Sequence, residues 1–292
     1  MIFFKRIFLA LILVLLVQCG VYYYIDQVML TTTANFHISE DDSPQSITPA
    51  EGEQVFYSYD KKFAAKVGND QVGIYNMEDK SKEPQNIDLG GYKPSFFEWM
   101  PDRNLAILAL YGRNPKTKEY EVYIRQYNPL MPDNKTETEL KDVPNDSKVV
   151  DVAYSTATNV VYMKLQVAED KFRIYRTDAN YDTRRISVQA ENIGRIAVFA
   201  DKDIFLYDNL KSGEVYMFDG GNGSWRVISP PGRFRLVGVE NENIFIAKYD
   251  KKDNTAVLAT YQGKLGIGFE KTLTYEKPED FSNITLDKIQ KL

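Results

Sequence analysis

The sequence predicts an all-β chain, a β-propeller of five four-stranded blades preceded by one N-terminal transmembrane helix. Three observations predict it. From residue 54 onward, short β-rich runs separated by turn residues replace any 3.6-residue apolar stripe until the last few residues. An aromatic marker recurs along those runs at nearly constant spacing. One long apolar stretch stands apart from them at the N-terminus. Twenty Tyr and sixteen Phe among 292 residues suit pleated, half-buried surfaces.

The apolar stretch, IFLALILVLLVQCGVYYYI, runs from Ile7 to Ile25 with Gln18 as its one strongly polar side chain. As a helix rising about 1.5 Å per residue it spans roughly 28 Å, the thickness of a bilayer's hydrocarbon. Lys5 and Arg6 precede it and Asp26 follows, so the positive-inside rule places the N-terminus in the cytoplasm. Tyr22, Tyr23 and Tyr24 lie at the outer end, where amphipathic rings favour the headgroup region. Two processed forms compete with an uncleaved anchor. A signal peptide has Thr32-Thr33-Ala34 as its cleavage site, rather far from the apolar run. Leu16-Val17-Gln18-Cys19 is similar to a lipobox but carries bulky Gln18 where a small residue belongs. The expectation is therefore a cytoplasmic tip and anchor over residues 1–25, in the inner membrane of a bacterium. A polar, acidic stalk follows over 26–53, and the domain beyond it is extracytoplasmic.

The repeat defines that domain. GIYNMEDK, EVYIRQYN, RIYRTDAN and EVYMFDGG place Tyr75, Tyr123, Tyr175 and Tyr216 in equivalent positions, with Leu258 of AVLATYQG in the fifth. The spacings are 48, 52, 41 and 42 residues, the period of a four-stranded blade. The first unit divides into strands at 54–58, 62–67, 71–77 and 85–89. The second divides at 95–99, 104–111, 119–127 and 136–141, and the third at 148–154, 159–167, 170–177 and 183–187. The fourth has strands at 193–199, 203–208, 213–218 and 225–229, and the fifth at 234–239, 243–249, 255–261 and 267–274. Asn69-Asp70, Asp201-Lys202-Asp203, Glu240-Asn241-Glu242-Asn243 and Asp250 to Asn254 supply hairpin turns. NLAILALYG and NVVYMKLQV are almost wholly apolar, as middle strands buried between blades must be. The propeller is thus expected over 54–274. A tail over 275–292 closes the ring or forms a short helix.

Phe96-Phe97-Glu98-Trp99-Met100-Pro101-Asp102-Arg103-Asn104-Leu105-Ala106 resembles the strand–turn–strand signature W-S-P-D-G-x-x-I-A of TolB-like and WD-repeat propellers. Lys171 to Ser187, KFRIYRTDANYDTRRIS, is similar to the I-Y-v-m-D-a-d-G-s-n-x-R-R-L-T segment of the same superfamily. Met100 replaces Ser, Arg103 replaces Gly, and the third unit lacks the Pro-Asp pair. The resemblance implies the fold; it does not carry over TolB's own partners.

Chemistry is constrained by what the chain contains. Net charge is −5, and about −7 without Lys5 and Arg6, with no basic cluster, which argues against a nucleic-acid partner. The single Cys19 lies in the apolar stretch and the single His37 in the stalk, so neither a Ser-His or Cys-His nucleophile nor a His-rich zinc site is expected in the domain. Gly220-Gly221-Asn222-Gly223 reads as a turn rather than a phosphate loop. Asp178-Ala179-Asn180-Tyr181-Asp182 alternates oxygen ligands, yet Thr183 stands where a calcium loop needs Gly, so a hairpin turn is expected. Three N-x-S/T matches, at Asn134, Asn222 and Asn283, are chance matches in a bacterial protein. No cofactor, metal or catalytic residue is expected.

Two candidate sites remain. Innermost strands would gather Glu98 and Asp151 with Arg195 and Arg235 around the axis, either as ion pairs or as the paired carboxylates of a propeller glycosidase. Loops joining one blade to the next would present Tyr92 from Gly90-Gly91-Tyr92-Lys93-Pro94, and Arg233 and Phe234 from Pro230-Pro231-Gly232-Arg233-Phe234. The expected function is a protein-interaction or scaffold module of the cell envelope, meeting an envelope protein or glycan. The alternatives are a carbohydrate-active enzyme using the axial carboxylates and a sensor binding a small ligand in the channel.

Overall fold

The computed structural model describes Gln18 and residues 47–290 apart from Lys80, Lys135 and Asn254. The expected anchor apart from Gln18, and most of the stalk, with Cys19 and His37, lie outside the described residues. Among the described residues, no helix is long and apolar enough to cross a membrane.

Residues 47–292 form one compact unit built from five four-stranded antiparallel sheets, each made of four consecutive strands. Blade 1 comprises β1 (Gln54–Tyr57), β2 (Phe63–Val67), β3 (Val72–Asn76) and β4 (Gln85–Asn86). Blade 2 comprises β5 (Lys93–Trp99), β6 (Ala106–Arg113), β7 (Tyr120–Tyr127) and β8 (Thr136–Glu139). Blade 3 has β9 (Lys148–Ser155), β10 (Val160–Ala168), β11 (Lys171–Thr177) and β12 (Thr183–Ile186). Blade 4 has β13 (Ile193–Val198), β14 (Ile204–Asn209), β15 (Glu214–Asp219) and β16 (Ser224–Val227). Blade 5 has β17 (Phe234–Glu240), β18 (Asn243–Tyr249), β19 (Ala256–Lys264) and β20 (Gly268–Asp280). This arrangement fits a five-bladed propeller. The repeated markers Tyr75, Tyr123, Tyr175, Tyr216 and Leu258 all fall on third strands.

The second strands show why their sequences are apolar on both faces. Side chains alternate across a strand, so each middle strand feeds two cores. In β6, Ala106, Leu108 and Leu110 pack towards blade 1, while Ile107 and Ala109 pack towards blade 3. In β10, Val161, Met163 and Leu165 face blade 2, and Val160 and Tyr162 face blade 4. Neighbouring blades approach one another chiefly through their first strands, which puts these nearest the axis.

The seam between blades 3 and 4 is aromatic and clasped. Tyr162 stacks on Phe205 at 4.5 Å, Phe205 on Tyr207 at 5.6 Å, and Tyr207 on Tyr216 at 5.2 Å. At one end of the stack, Asp203 accepts the Tyr162 hydroxyl at 2.6 Å and a forked pair of bonds from Arg176. A Cβ on Gly220 would come within 2.3 Å of that carboxylate, so the turn Gly220-Gly221-Asn222-Gly223 begins with a residue the clasp requires.

The fifth core differs. Val237, Phe245, Ala247 and Val257 of blade 5 are covered by Phe281 of a 3₁₀ turn (Phe281–Asn283), Ile284 that caps it, and Ile289 of the helix α1 (Leu286–Gln290). Among the described residues, no hydrophobic cluster joins blade 1 to blade 5. The tail therefore takes the helical course and lies on the face of blade 5 that no other blade covers. β20 also runs to Asp280, six residues past the expected end at 274. Tyr275 packs against this fifth core, and pairing of β20 with β19 resumes at Glu279 and Asp280 beyond an interruption of the register.

Candidate functional site

Two regions gather chemistry: the axis, and one end of the propeller. The first strands bring Glu98 of β5, Asp151 of β9, Arg195 of β13 and Arg235 of β17 to the axis. The structure adds Lys164 and Asp208, each the fifth residue of a second strand. Lys164 pairs in register with Asp151 and donates from Nζ to the Gly194 carbonyl at 2.5 Å. Asp208 is fully buried, and its Oδ2 accepts from Arg235 Nε at 3.3 Å. A Cβ at position 194 would sit 2.4 Å from Asp208, so only Gly lets the carboxylate lie there.

Burial sets the protonation of this cluster. It raises Glu98 to about 7, helped by the charge of Asp151. Burial also raises Asp151, against the pull of Lys164, Arg195 and backbone N–H groups. Asp208 is raised to about 6 by burial, opposed chiefly by Arg235. Lys164 is lowered by burial and by Arg235, while Asp151 and Asp208 resist that shift. The tail caps the cations. Arg195 donates to the Ile284 carbonyl at 3.0 Å, and the guanidiniums of Arg195 and Arg235 lie 4.3 and 3.8 Å from the centre of the Phe281 ring. Like charges also lie side by side in the cluster, Glu98 beside Asp151 and Arg195 beside Arg235, while Lys164, Asp208, Arg195 and Arg235 each face a partner. Glu98 and Asp208 are the carboxyls raised closest to neutrality.

The ends of the propeller differ in exposure. One end carries the loops between second and third strands and between blades, and can be called the crossover end. Tyr92 lies there half-buried, its hydroxyl bonded to Glu121 and its ring edge-on to Tyr123. Arg233 donates to the Tyr249 hydroxyl at 3.1 Å and lies over that ring. Phe234 is 2% exposed, edge-on to Tyr261 inside the core between blades 4 and 5. As the first residue of β17 it turns into the seam, and its ring has no area to offer a partner. The chain enters blade 1 at this end too, where Glu53 meets Gln71 and Lys66.

The opposite end, the turn end, carries the hairpins between first and second and between third and fourth strands. Among the described residues, eight large apolar side chains are exposed: Tyr57, Tyr59, Leu130, Met131, Tyr181, Trp225, Val227 and Ile267. All but Val227 lie in these hairpins or within two residues of one. The sequence signal for them was present, since Pro129-Leu130-Met131-Pro132 and Leu265-Gly266-Ile267-Gly268 set apolar residues among turn formers. A cleft of about 260 Å³ opens at this end between blades 2 and 3.

No protein-family model matches the sequence, and no curated protein matches it. Solved structures do resemble the fold. A structure of two prolyl endopeptidases aligns with 78% of this chain and 36% of its own, at TM-score 0.56 and 13% identity. Dihydro-heme d1 dehydrogenase NirN in complex with DHE aligns with 78% of this chain and 48% of its own, at 0.52 and 12%. A protein assigned as TolB from Agrobacterium tumefaciens aligns over 78% and 82%, at 0.47 and 12%. The likeness is one of fold. The chain spans about a third of the endopeptidase chain and about half of the NirN chain. The segments whose sequence resembles TolB-like and WD-repeat propellers form β5–β6 and β11–β12.

Proposed function

We propose that the protein is a protein-interaction module of a bacterial cell envelope, anchored by its N-terminal apolar segment and held outside the cytoplasmic membrane. The observation that carries this reading is the one-sided exposure of apolar side chains at the turn end, opposite the end where the chain enters the domain. Tyr, Trp and Met are among the residues that anchor protein interfaces, and several of them left exposed at one end supply anchors a partner could bury. The axial charges, by contrast, are engaged with one another and with the tail. The test is a photo-crosslinking amino acid placed at Ile267 or at Lys116 of the full-length protein in membranes. A discrete protein adduct from the first position and none from the second is expected; adducts from neither, or equally from both, would sink the reading.

One observation favours a second reading. Glu98 keeps a proton close to neutral pH beside Asp151, as the general acid of a glycosidase does. Loss of glycan turnover in a folded Glu98→Gln protein would establish that enzyme and displace the scaffold.

A further inference from the structure

We infer that β16, the outer strand of blade 4, takes an extended segment of a partner protein as a fifth strand, and that this segment sets an acidic residue between two apolar ones. The inference rests on the interaction reading and adds the partner's chemistry and the edge that holds it.

Five outer strands end the five sheets, and each leaves one backbone edge open. Such edges invite another strand unless shortness, charge or Pro blunts them. β4 has only two residues. β8 reads TETE and β12 reads TRRI. β20 carries Lys271, Lys277 and Pro278, and its register is interrupted twice. β16 reads SWRV and is exposed throughout. Of the described outer strands it alone exposes large apolar side chains, Trp225 at 44% and Val227 at 43%. Val227 is also the exposed apolar residue that the turn-end hairpins do not account for.

The ladder shows which backbone groups are free. Ile228 donates its N–H to the Val215 carbonyl at 2.9 Å. Bonded pairs alternate in an antiparallel ladder, so Arg226 exchanges the next bonds with Met217, its partner in register. The N–H and C=O groups of Trp225 and Val227 therefore point away from β15, along the open edge. Side chains follow the same alternation. Trp225 and Val227 lie opposite Phe218 and Tyr216, on the side of blade 3, and the Trp225 ring tilts against Tyr216 at 6.1 Å. Arg226 lies opposite Met217, on the side of blade 5, and pairs with no carboxylate among the described residues. Residues opposite one another across a ladder share a face. A strand added to this edge meets Trp225 and Val227 with two of its side chains and Arg226 with the one between them. Apolar groups suit the first two positions, and an acid in the third answers the unpaired guanidinium.

The probe is the blocked peptide Thr-Val-Glu-Val-Thr, titrated into the full chain in lipid nanodiscs with its two tryptophans replaced by fluorotryptophan. Fluorine NMR then reads exposed Trp225, with buried Trp99 as an internal reference. The Trp225 resonance should move saturably while that of Trp99 stays. Methylating the two Val nitrogens, which face β16, should abolish the response; methylating the Glu nitrogen, which faces away, should preserve it. Exchanging Glu for Lys in the peptide should weaken binding roughly fivefold, and Arg226→Glu should reverse that preference. The assignment falls if Trp225 does not respond, if both methylated peptides bind alike, or if Arg226→Glu leaves the preference unchanged. A Trp225 resonance that moves with protein concentration alone would give the edge to a second copy of this chain and overturn the partner. A discrete crosslink from Ile267 with no response at Trp225 removes only this edge, whereas failure of both removes the interaction reading as well.

Discussion

The seam between blades 3 and 4 and the cover over blade 5 solve the same problem with different materials. Both bury an apolar sheet face, and both set an aromatic ring against arginine or its anion. The first joins strands locked on each side by a four-stranded sheet. The second relies on ten or so residues after β20, whose Phe281, Ile284 and Ile289, with partly buried Leu286, supply the opposing surface. Equal burial therefore need not mean equal cooperativity: a face covered by a tail can open locally, whereas a face covered by a blade opens only as blades part.

The largest expected effect is at Phe205, which lies between Tyr162 and Tyr207. Phe205→Ala should cost about 4 kcal/mol of global stability, read as a shift of the urea midpoint at unchanged slope. A cost under about 1 kcal/mol would show that the stack is replaceable and the contrast overstated. Asp203→Asn comes next. It leaves the largely buried Arg176 without its carboxylate, and about 3 kcal/mol should be lost in the same measurement.

Phe281→Ala removes a similar ring from the other seam, yet its expected signature is local. Amide exchange should accelerate in β17 and α1 by an amount equivalent to about 2–3 kcal/mol, with β14 retaining its protection. Equal acceleration in β14 would mean that the tail is as integral as a blade. The smallest effect is pH dependence. Asp208, raised to about 6, and Glu98, raised to about 7, hold protons more tightly folded than unfolded. Their contribution is complete below about pH 4 and is lost as pH rises towards 7. Relative to the natural protein, Asp208→Asn should gain about 1–2 kcal/mol between pH 4 and pH 7 in paired denaturation series. A difference that does not change with pH would place the Asp208 pKa at its ordinary value.

Much of the fold was legible because its signals are local. Tyr123 and Tyr175 mark third strands because neighbouring strands and turns repeat with them. An unbroken apolar run such as Ala106 to Leu110 announces burial on both faces. The axial site was legible in half. Glu98, Asp151, Arg195 and Arg235 follow from being on first strands. Lys164 and Asp208 were hidden inside apolar runs, where one charge looks like an interruption unless its neighbours across the axis are known. Phe234 shows the same limit: its exposure depends on which side of a seam it falls, and a loop sequence does not encode the seam.

Alone, the sequence determined the all-β class, the five units, nineteen of the twenty strands to within three residues, and an apolar N-terminal segment with a charge asymmetry. These depend on side-chain periodicity and turn chemistry, which act over two to ten residues. Tertiary structure alone decided that the tail covers blade 5, that Gly194 and Gly220 make room for carboxylates, and that exposed apolar groups collect at one end. Those outcomes depend on surfaces meeting across separations from 14 residues, as between Gly194 and Asp208, to 89, as between Arg195 and Ile284, where packing selects among local arrangements that the sequence leaves equally acceptable.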